Sequence, residues 1–375
     1  MGAAAALALA KNNFKIRLLE PKPPVYDLTA DTELRVSAIS HASKDLLQEL
    51  GAWDLIASTR VSPYRQMHVW EEASSAFVHF DSAELQQADL GNIIENELIR
   101  YALFKKLEHS NNVTIQNNID IAWTDFSPTT ANIALKSGEI LKSNLVIGAD
   151  GALSKVRDWV GIEISEKATG HFAVVANVKL SGSHQKTAWQ KFLANGPLAF
   201  LPLSDGGCSI VWSTVKSEAE HLVKADADEF LAVINQKICD APFAPLTQVS
   251  RRLSFPLIQR HARAYHRHNV VLVGDATHTI HPLAGQGVNL GLADVKELVR
   301  VLTANKKSLG KEYILAEYAR CRRAKNELML QSMQGLKKVF GISDSGFELL
   351  RAKGIQIFNK SYIARQLAMQ KAVNG

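Results

Sequence analysis

Cysteine is scarce in this chain: three in 375 residues, Cys208, Cys239 and Cys321. They are odd in number, far apart and without the close C-x-x-C pairing of a zinc or redox site. This excludes a disulfide scaffold and predicts free thiols in a reducing compartment such as the cytoplasm. No metal site is expected. Glycine (22) and proline (11) are too few for a collagen-like or low-complexity chain, and an apolar fraction of 46% excludes wholesale disorder. No run approaches the roughly 18 to 20 consecutive apolar residues of a spanning helix, so any membrane contact is expected to be peripheral. A large excess of either charge is missing too. The formal net charge is only +6, a mild excess that suits anionic partners or an anionic membrane surface and does not argue for nucleic acid. The opening MGAAAALALAKNN lacks the basic residues that precede the apolar stretch of a signal peptide, and Ala6 stands where a myristoylation motif needs Ser or Thr. Export is not expected.

What is present alternates in type. A helix is predicted over Gly2–Ala10, a strand over Lys15–Glu20, and a proline-broken loop from Pro21 to Pro24. Further helices are expected over His41–Leu50, closed by Gly51, and over Asn96–Leu107, with a strand over Ile140–Gly148. Between about Ser165 and Pro256 the pattern becomes alternating and aromatic-rich, as in HFAVVANVKL, WQKFLANGPLAFLPL and CSIVWSTV, which reads as an antiparallel meander. The segment Arg65–Phe80 has the same character and is assigned to the same sheet. A strand over Asn269–Val273 and a helix over Gly287–Thr303 then restore the α/β pattern. The expected organisation is a discontinuous α/β domain (1–64, 90–164 and 257–335), a β-rich domain (65–89 and 165–256) and a helical C-terminal region (336–375).

Three separated segments point to a dinucleotide. In a Rossmann unit the third glycine of G-x-G-x-x-G packs helix on strand, and an acid about 20 residues on binds the ribose. Gly2 and Glu20 stand in that relation, although a helix starting at a glycine and a strand ending on a solvated glutamate would look alike. The second segment, Val146–Arg157 (VIGADGALSKVR), feeds a strand into Gly148, Asp150 and Gly151, placing backbone N–H groups and Arg157 where a phosphate could sit. A plain turn capped by Asp150 is the bland alternative. The third, Val270–Val295, ends a strand at Gly274-Asp275, passes Pro282 and opens a helix through Gly285 and Gly287. Glycine-rich backbone at a helix N-terminus favours negative charge and the close approach of a planar ring.

The pair ADG-x-x-S-x-x-R and GDATHTIHPLAGQGVNLGLAD resembles the second and third flavin motifs of the para-hydroxybenzoate-hydroxylase-like, class A, FAD-dependent monooxygenases. More narrowly, HPLAGQGVNLGLAD, GPLAFLPLSDGGCSIVWS, IIEN near Glu95 and ARCRRAKNELMLQSMQGLKKVF are similar to the ubiquinone-biosynthesis hydroxylases. The resemblance implies an α/β fold with a Rossmann-like FAD-binding domain interrupted by a β-rich substrate domain. By the same resemblance Glu20 holds the adenosine ribose, Arg35 and Arg100 lie near the diphosphate, and Asp150 and Gly151 serve FAD and the nicotinamide donor. Asp275 binds the ribityl or diphosphate region, Gly287, Val288 and Asn289 present polar groups to the isoalloxazine ring, and Gly274, Pro282 and Gly285 belong to the same cofactor-binding set. The implied reaction takes NAD(P)H and dioxygen, forms a flavin C4a-hydroperoxide and hydroxylates the ring of a polyprenylated phenol.

No Ser-His-Asp or paired-carboxylate arrangement competes for the chemistry, and His278 and His281 in the flavin loop are read as structural. Trp189, Phe192, Phe200 and Trp212 are candidate walls for an apolar substrate cavity, although alternation along the strands makes half of them core only. The mixture of Lys and Arg with Leu, Met, Phe and Ile between Arg320 and Arg365 suggests a surface for a membrane or for a ubiquinone-biosynthesis complex, or helices packed on the FAD domain. One departure stands out. Members of this family begin with a strand and G-x-G-x-x-G, of which this sequence holds only the final glycine. The expectation is a start upstream of Met1; the alternatives are a chain that binds FAD poorly, including a non-enzymatic subunit of a biosynthetic complex, or a related flavin reductase.

Overall fold

The computed structural model describes residues 1–243, 245–279, 287–340, 342 and 344–374. The chain opens with α1 (Gly2–Lys11), β1 (Ile16–Glu20), β2 (Val36–Ile39), α2 (His41–Glu49), α3 (Trp53–Thr59) and β3 (Ser62–Tyr64). A hairpin of β4 (Gln66–Glu71) and β5 (Phe77–Asp81) follows, then β6 (Gly91–Glu95), α4 (Asn96–Leu107) and β7 (Val113–Asn117). A small meander of β8 (Ile121–Phe126), β9 (Ala131–Leu135) and β10 (Ile140–Ser143) leads to β11 (Val146–Gly148) and α5 (Lys155–Trp159). Next come β12 (Ile164–Leu180), β13 (Thr187–Leu193), β14 (Gly196–Pro202), β15 (Cys208–Val215), α6 (Lys216–Lys224) and α7 (Ala227–Lys237). The last strands are β16 (Leu246–Val249), β17 (Leu253–Ala262), β18 (His266–Arg267), β19 (Val270–Leu272) and β20 (His278–Thr279). Four helices end the chain: α8 (Gly287–Ala304), α9 (Glu312–Phe340), α10 (Ser345–Lys360) and α11 (Tyr362–Asn374).

Helix α1 forms because a run of alanines carries the highest helix propensity, and it stops where Asn12 caps Ala8 O at 2.9 Å and Asn13 turns left-handed. Residues Ala3 through Ala10 are all buried, so the helix is covered on every side. It shares one core with α2, α3, α4 and α8. Two parallel pairings accompany it: β1 with β7, and β11 with β19, the latter extended by antiparallel β18. Among the described residues no strand joins these two sheets.

The largest sheet runs β20-β17-β12-β15-β14-β13-β4-β5, with β16 also on β12. Its two faces differ. Trp189, Phe200, Ile210, Trp212 and Val174 point one way and are buried beneath α6 and α7, against Leu222, Phe230 and Ile234. The cross-strand partners on the other face are small: Ala173 opposite Ser213, Val175 opposite Val211, and Val211 opposite Ala199.

The mixed α/β class matches the sequence expectation, and so do α1, α2, α4 and α8 to within a residue or two at each end. Three features differ. The single strand expected over Ile140–Gly148 is two, because Ile140–Ser143 pairs antiparallel with β9 while Val146–Gly148 turns to pair parallel with β19. The region read as a continuous meander contains α6 and α7, whose Ala219, Leu222, Phe230 and Ile234 recur at helical spacing, with Asp226 capping the Glu229 N–H at 2.8 Å. The Arg65–Phe80 segment does join the large sheet, but β4 pairs with β13 in parallel.

Candidate cofactor site

The three motifs follow the ends of β1, β11 and β19. At the end of β1, Glu20 Oε1 accepts from Lys22 N (3.1 Å) and faces Arg100 Nη2 at 3.3 Å, which leaves Oε2 without a partner among the described residues. Arg100 is brought to Glu20 but is already engaged by Glu97 (3.1 Å) and by the Lys22 carbonyl. It therefore orients Glu20 and has no free fork to offer a diphosphate. Gly2, at the start of α1, is less restrictive than the motif implies: a Cβ there would stand 3.5 Å from Ala149 Cβ and 3.7 Å from Leu18 Cδ1, ordinary contact distances.

In the second motif Gly148 is required for close approach, since a Cβ would meet Leu272 at 2.6 Å and Val156 at 2.9 Å. Asp150 turns onto α5, accepting from Ser154 Oγ and from Val156 N at 3.1 Å. This is the capped-turn arrangement that the sequence offered as the alternative to a ligand group. Arg157, expected where a phosphate could sit, is buried and donates to the carbonyls of Ala152 and Ala276, each at 3.2 Å. It ties the second motif to the third. Gly151 holds a φ of 85° with open space around it.

The third motif carries the strongest feature. Gly274 sits at φ 62°, and a Cβ there would meet Met1 Cγ at 2.6 Å. Asp275, next to it, is exposed and makes no hydrogen bond or ion pair among the described residues. Partial desolvation by the surrounding protein raises its carboxyl above the usual aspartate range, against the opposing pull of His278, the Met1 amine, Arg35 and Arg260. Arg35 is exposed, lies 6.0 Å over the Phe255 ring, and has no carboxylate partner among the described residues. The Met1 amine is buried in the same region; burial lowers it, and Asp275 and Glu20 oppose the shift.

Helix α8 opens on Gly287, around which a Cβ would find nothing within 4 Å among the described residues, and Val288 packs partly into the α1 core. The Asn289 side chain is partly engaged by the protein. Its Nδ2 donates to Ala38 O at 2.7 Å and its Oδ1 accepts from Ser40 N at 3.1 Å, so it fastens α8 to β2 and keeps one N–H and one lone pair beyond these bonds. Pro282, Gly285 and His281 lie outside the described residues.

What holds this arrangement is an acid that sequence reasoning passed over. Asp294 Oδ2 accepts from His278 Nε2 (2.6 Å) and Gly274 N (3.1 Å), and Oδ1 accepts from Arg322 Nε (2.6 Å) and Asn326 Nδ2 (3.1 Å). All of these side chains are buried. Burial alone would raise Asp294, but His278 and Arg322 outweigh it and hold the carboxyl low. The signal was an aspartate in register with Gly291, Val295, Leu298 and Leu302 on the buried stripe of α8.

The four aromatic walls are corrected by the sheet's geometry. Trp189, Phe200 and Trp212 belong to the core under α6 and α7, and Phe192 stacks on Phe340 with centroids 3.8 Å apart. The face bearing Ala173, Val175, Ala199, Val211 and Ser213 also carries Phe255, opposite Ala173, and it is Phe255 that meets Arg35.

A carboxylate and a guanidinium without ionic partners among the described residues, beside a left-handed glycine and the first turn of α8, form a set that fits FAD. The family model described as "FAD binding domain" matches residues 1–333. The chain is 35% identical to the 3-demethoxyubiquinol 3-hydroxylase of Escherichia coli K12, over 100% of this chain and 96% of that one. It is 37% identical to the mitochondrial ubiquinone biosynthesis monooxygenase COQ6 of Mus musculus, over 96% of this chain and 86% of that one. The chain belongs to the FAD-binding-domain family, among the ubiquinone-biosynthesis hydroxylases. Solved structures share the fold at lower identity. The p-nitrophenol 4-monooxygenase PnpA of Pseudomonas putida DLL-E4 superposes with a TM-score of 0.80 at 19% identity, covering 100% of this chain and 95% of that one. Klebsiella pneumoniae HpxO, solved with FAD and uric acid, gives 0.76 at 16%, covering 100% and 94%. The resemblance read from the motifs holds, and the chain is a flavin-dependent aromatic hydroxylase by family.

Proposed function

We propose that this chain hydroxylates the ring of a polyprenylated phenol in ubiquinone biosynthesis, with FAD as cofactor and NAD(P)H and dioxygen as co-substrates. The observation that carries the reading is Asp275, without a partner among the described residues beside the left-handed Gly274 and close to α8, in a chain 35% identical across its whole length to a demethoxyubiquinol hydroxylase. FAD supplies hydride acceptance and oxygen activation when bound. The protein's share is to bind, orient and keep water out.

Glu20 Oε2 and Asp275 are acceptors for hydroxyl groups of the cofactor, and Arg35 is the free cation for its diphosphate. The N-terminus of α8 directs partial positive charge toward the ring. The small-residue face of the large sheet leaves room for a phenol where large side chains would fill the space, and its apolar lining keeps water from the reacting centre. A substrate with a prenyl tail implies contact with the membrane that holds it, or with the enzymes that handle it before and after.

The test supplies the purified protein with FAD, NADH or NADPH, ¹⁸O₂ and a short-chain prenylated phenol in detergent. The result expected is a ring-hydroxylated product carrying heavy oxygen, in step with nicotinamide oxidation. Label drawn from water, or nicotinamide oxidation that yields hydrogen peroxide with no hydroxylated phenol, overturns it.

A further inference from the structure

Helices α10 and α11 are fixed on one side and bare on the other. On the inner side, Arg351 Nε donates to Glu71 Oε2 at 2.6 Å with both groups buried, and Asn359 Oδ1 accepts from His79 N at 3.0 Å. Arg365 reaches Glu84 at 3.0 Å, and Met369 and Val373 pack with Leu90. These contacts pin both helices over the edge strand β5 and the turn after it, covering an edge that would otherwise be open to pairing.

The outer side is built differently. Leu349, Leu350 and Ile357 on α10 and Ile363 and Leu367 on α11 are each 60% to 70% exposed. On α10, Lys353 and Lys360 fall at helical spacing within the same stripe; on α11, Ile363, Leu367 and Lys371 follow one another at four-residue intervals. The only acid between residues 346 and 374 is Glu348, and it is half-buried. A face kept in water mixes charges of both signs and avoids clustered aliphatic side chains. Aliphatic groups accompanied by lysine alone match an anionic bilayer, with the Leu and Ile side chains entering the boundary between headgroups and acyl chains and the lysines reaching lipid phosphates. Among the described residues no helix is long and apolar enough to cross a membrane, so the contact is one of lying on the surface.

We infer that α10 and α11 dock the protein on an anionic membrane surface. This deepens the polyprenyl-phenol reading and rests on it for its purpose, since a prenyl tail keeps such a substrate in the bilayer. The test contains no substrate, so its failure is distinct from a failure of that reading, which shows in the ¹⁸O₂ assay. The full chain is sedimented with phosphatidylcholine vesicles, with and without phosphatidylglycerol. The protein is expected to pellet with the anionic vesicles and to be released by salt. The combined L350E, I357E and I363E variant is expected to lose binding about tenfold or more, roughly 1.4 kcal/mol, with unchanged circular dichroism and flavin content. The combined K353E and K360E variant is expected to lose the preference for anionic lipid. Wild-type protein that stays in the supernatant, equal binding to both vesicle types, or an apolar variant that pellets like wild type overturns the inference. So does a wild-type dimer that the apolar variant dissolves without any vesicle binding, because a second copy then covers the face.

Discussion

His278 Nε2 stands 2.6 Å from Asp294 Oδ2, both side chains excluded from solvent, and this contact joins the turn that carries Asp275 to helix α8. An ionised carboxylate only accepts, so Nε2 carries the proton. With Gly274 N, Arg322 and Asn326, the histidine is one of four donors to a single carboxylate. The turn that carries Asp275 is therefore fixed from the protein side, through the buried Asp294 carboxylate.

Removing that acceptor leaves a buried guanidinium and a buried imidazole without a counterpart. Asp294→Ala is expected to destabilise the fold by about 3–5 kcal/mol, read as a lowered urea midpoint. A variant that unfolds at the wild-type midpoint contradicts this role.

The two faces of the large sheet respond differently to volume. Phe200→Ala opens a cavity in the core under α6 and α7 and is expected to cost about 3–5 kcal/mol. Val211→Phe fills the opposite face and is expected to lower kcat/KM for a prenylated phenol while the thermal midpoint moves much less than in Phe200→Ala. If Val211→Phe instead unfolds the protein, with turnover per folded molecule unchanged, that face is packing and not a substrate recess.

His68 gives a pH signature unrelated to the flavin. Burial, then the neighbouring His79, lowers its pKa from 6.5 to about 4, within a cluster of Trp70, Phe77 and Trp189. The folded protein keeps the ring neutral where the unfolded chain takes up a proton. The contribution is therefore fully present above pH 6.5 and is lost as pH falls from there toward 4. Discounted for the part of the ring open to solvent, the loss is about 1–2 kcal/mol. His68→Phe is expected to flatten the pH dependence of the unfolding midpoint over that window; an unchanged slope assigns it to other groups.

The helices and the α/β alternation were readable because their signals are local: an alanine run before Asn12 and Asn13, Gly51 after α2, and a glycine opening α8. The large sheet's aromatic alternation was also visible, but not which face it served. Trp189 and Trp212 read equally well as recess walls until α6 and α7 are seen to cover them. Polar residues in motifs were the least legible. Asp150, Arg100, Arg157 and Asn289 have the composition of ligand groups, and their side chains are engaged by a helix cap, a carboxylate, two carbonyls and a strand. That allocation depends on contacts up to 251 positions apart in the chain, as between Asn289 and Ala38, which no local pattern encodes. Asp294 shows the converse: an acid on an apolar stripe was legible as an anomaly, but its partners Arg322 and Asn326 lie on another helix.

The most direct measurement is the visible spectrum of the purified protein beside that of Asp275→Ala, followed by denaturation to identify any flavin released. The expected result is flavin absorbance from the wild type, recovered as FAD, and its loss in the variant with the far-ultraviolet circular dichroism retained, since Asp275 has no protein partner among the described residues to lose. A folded wild type that takes up no flavin when FAD is added, or a variant as yellow as the wild type, contradicts the site.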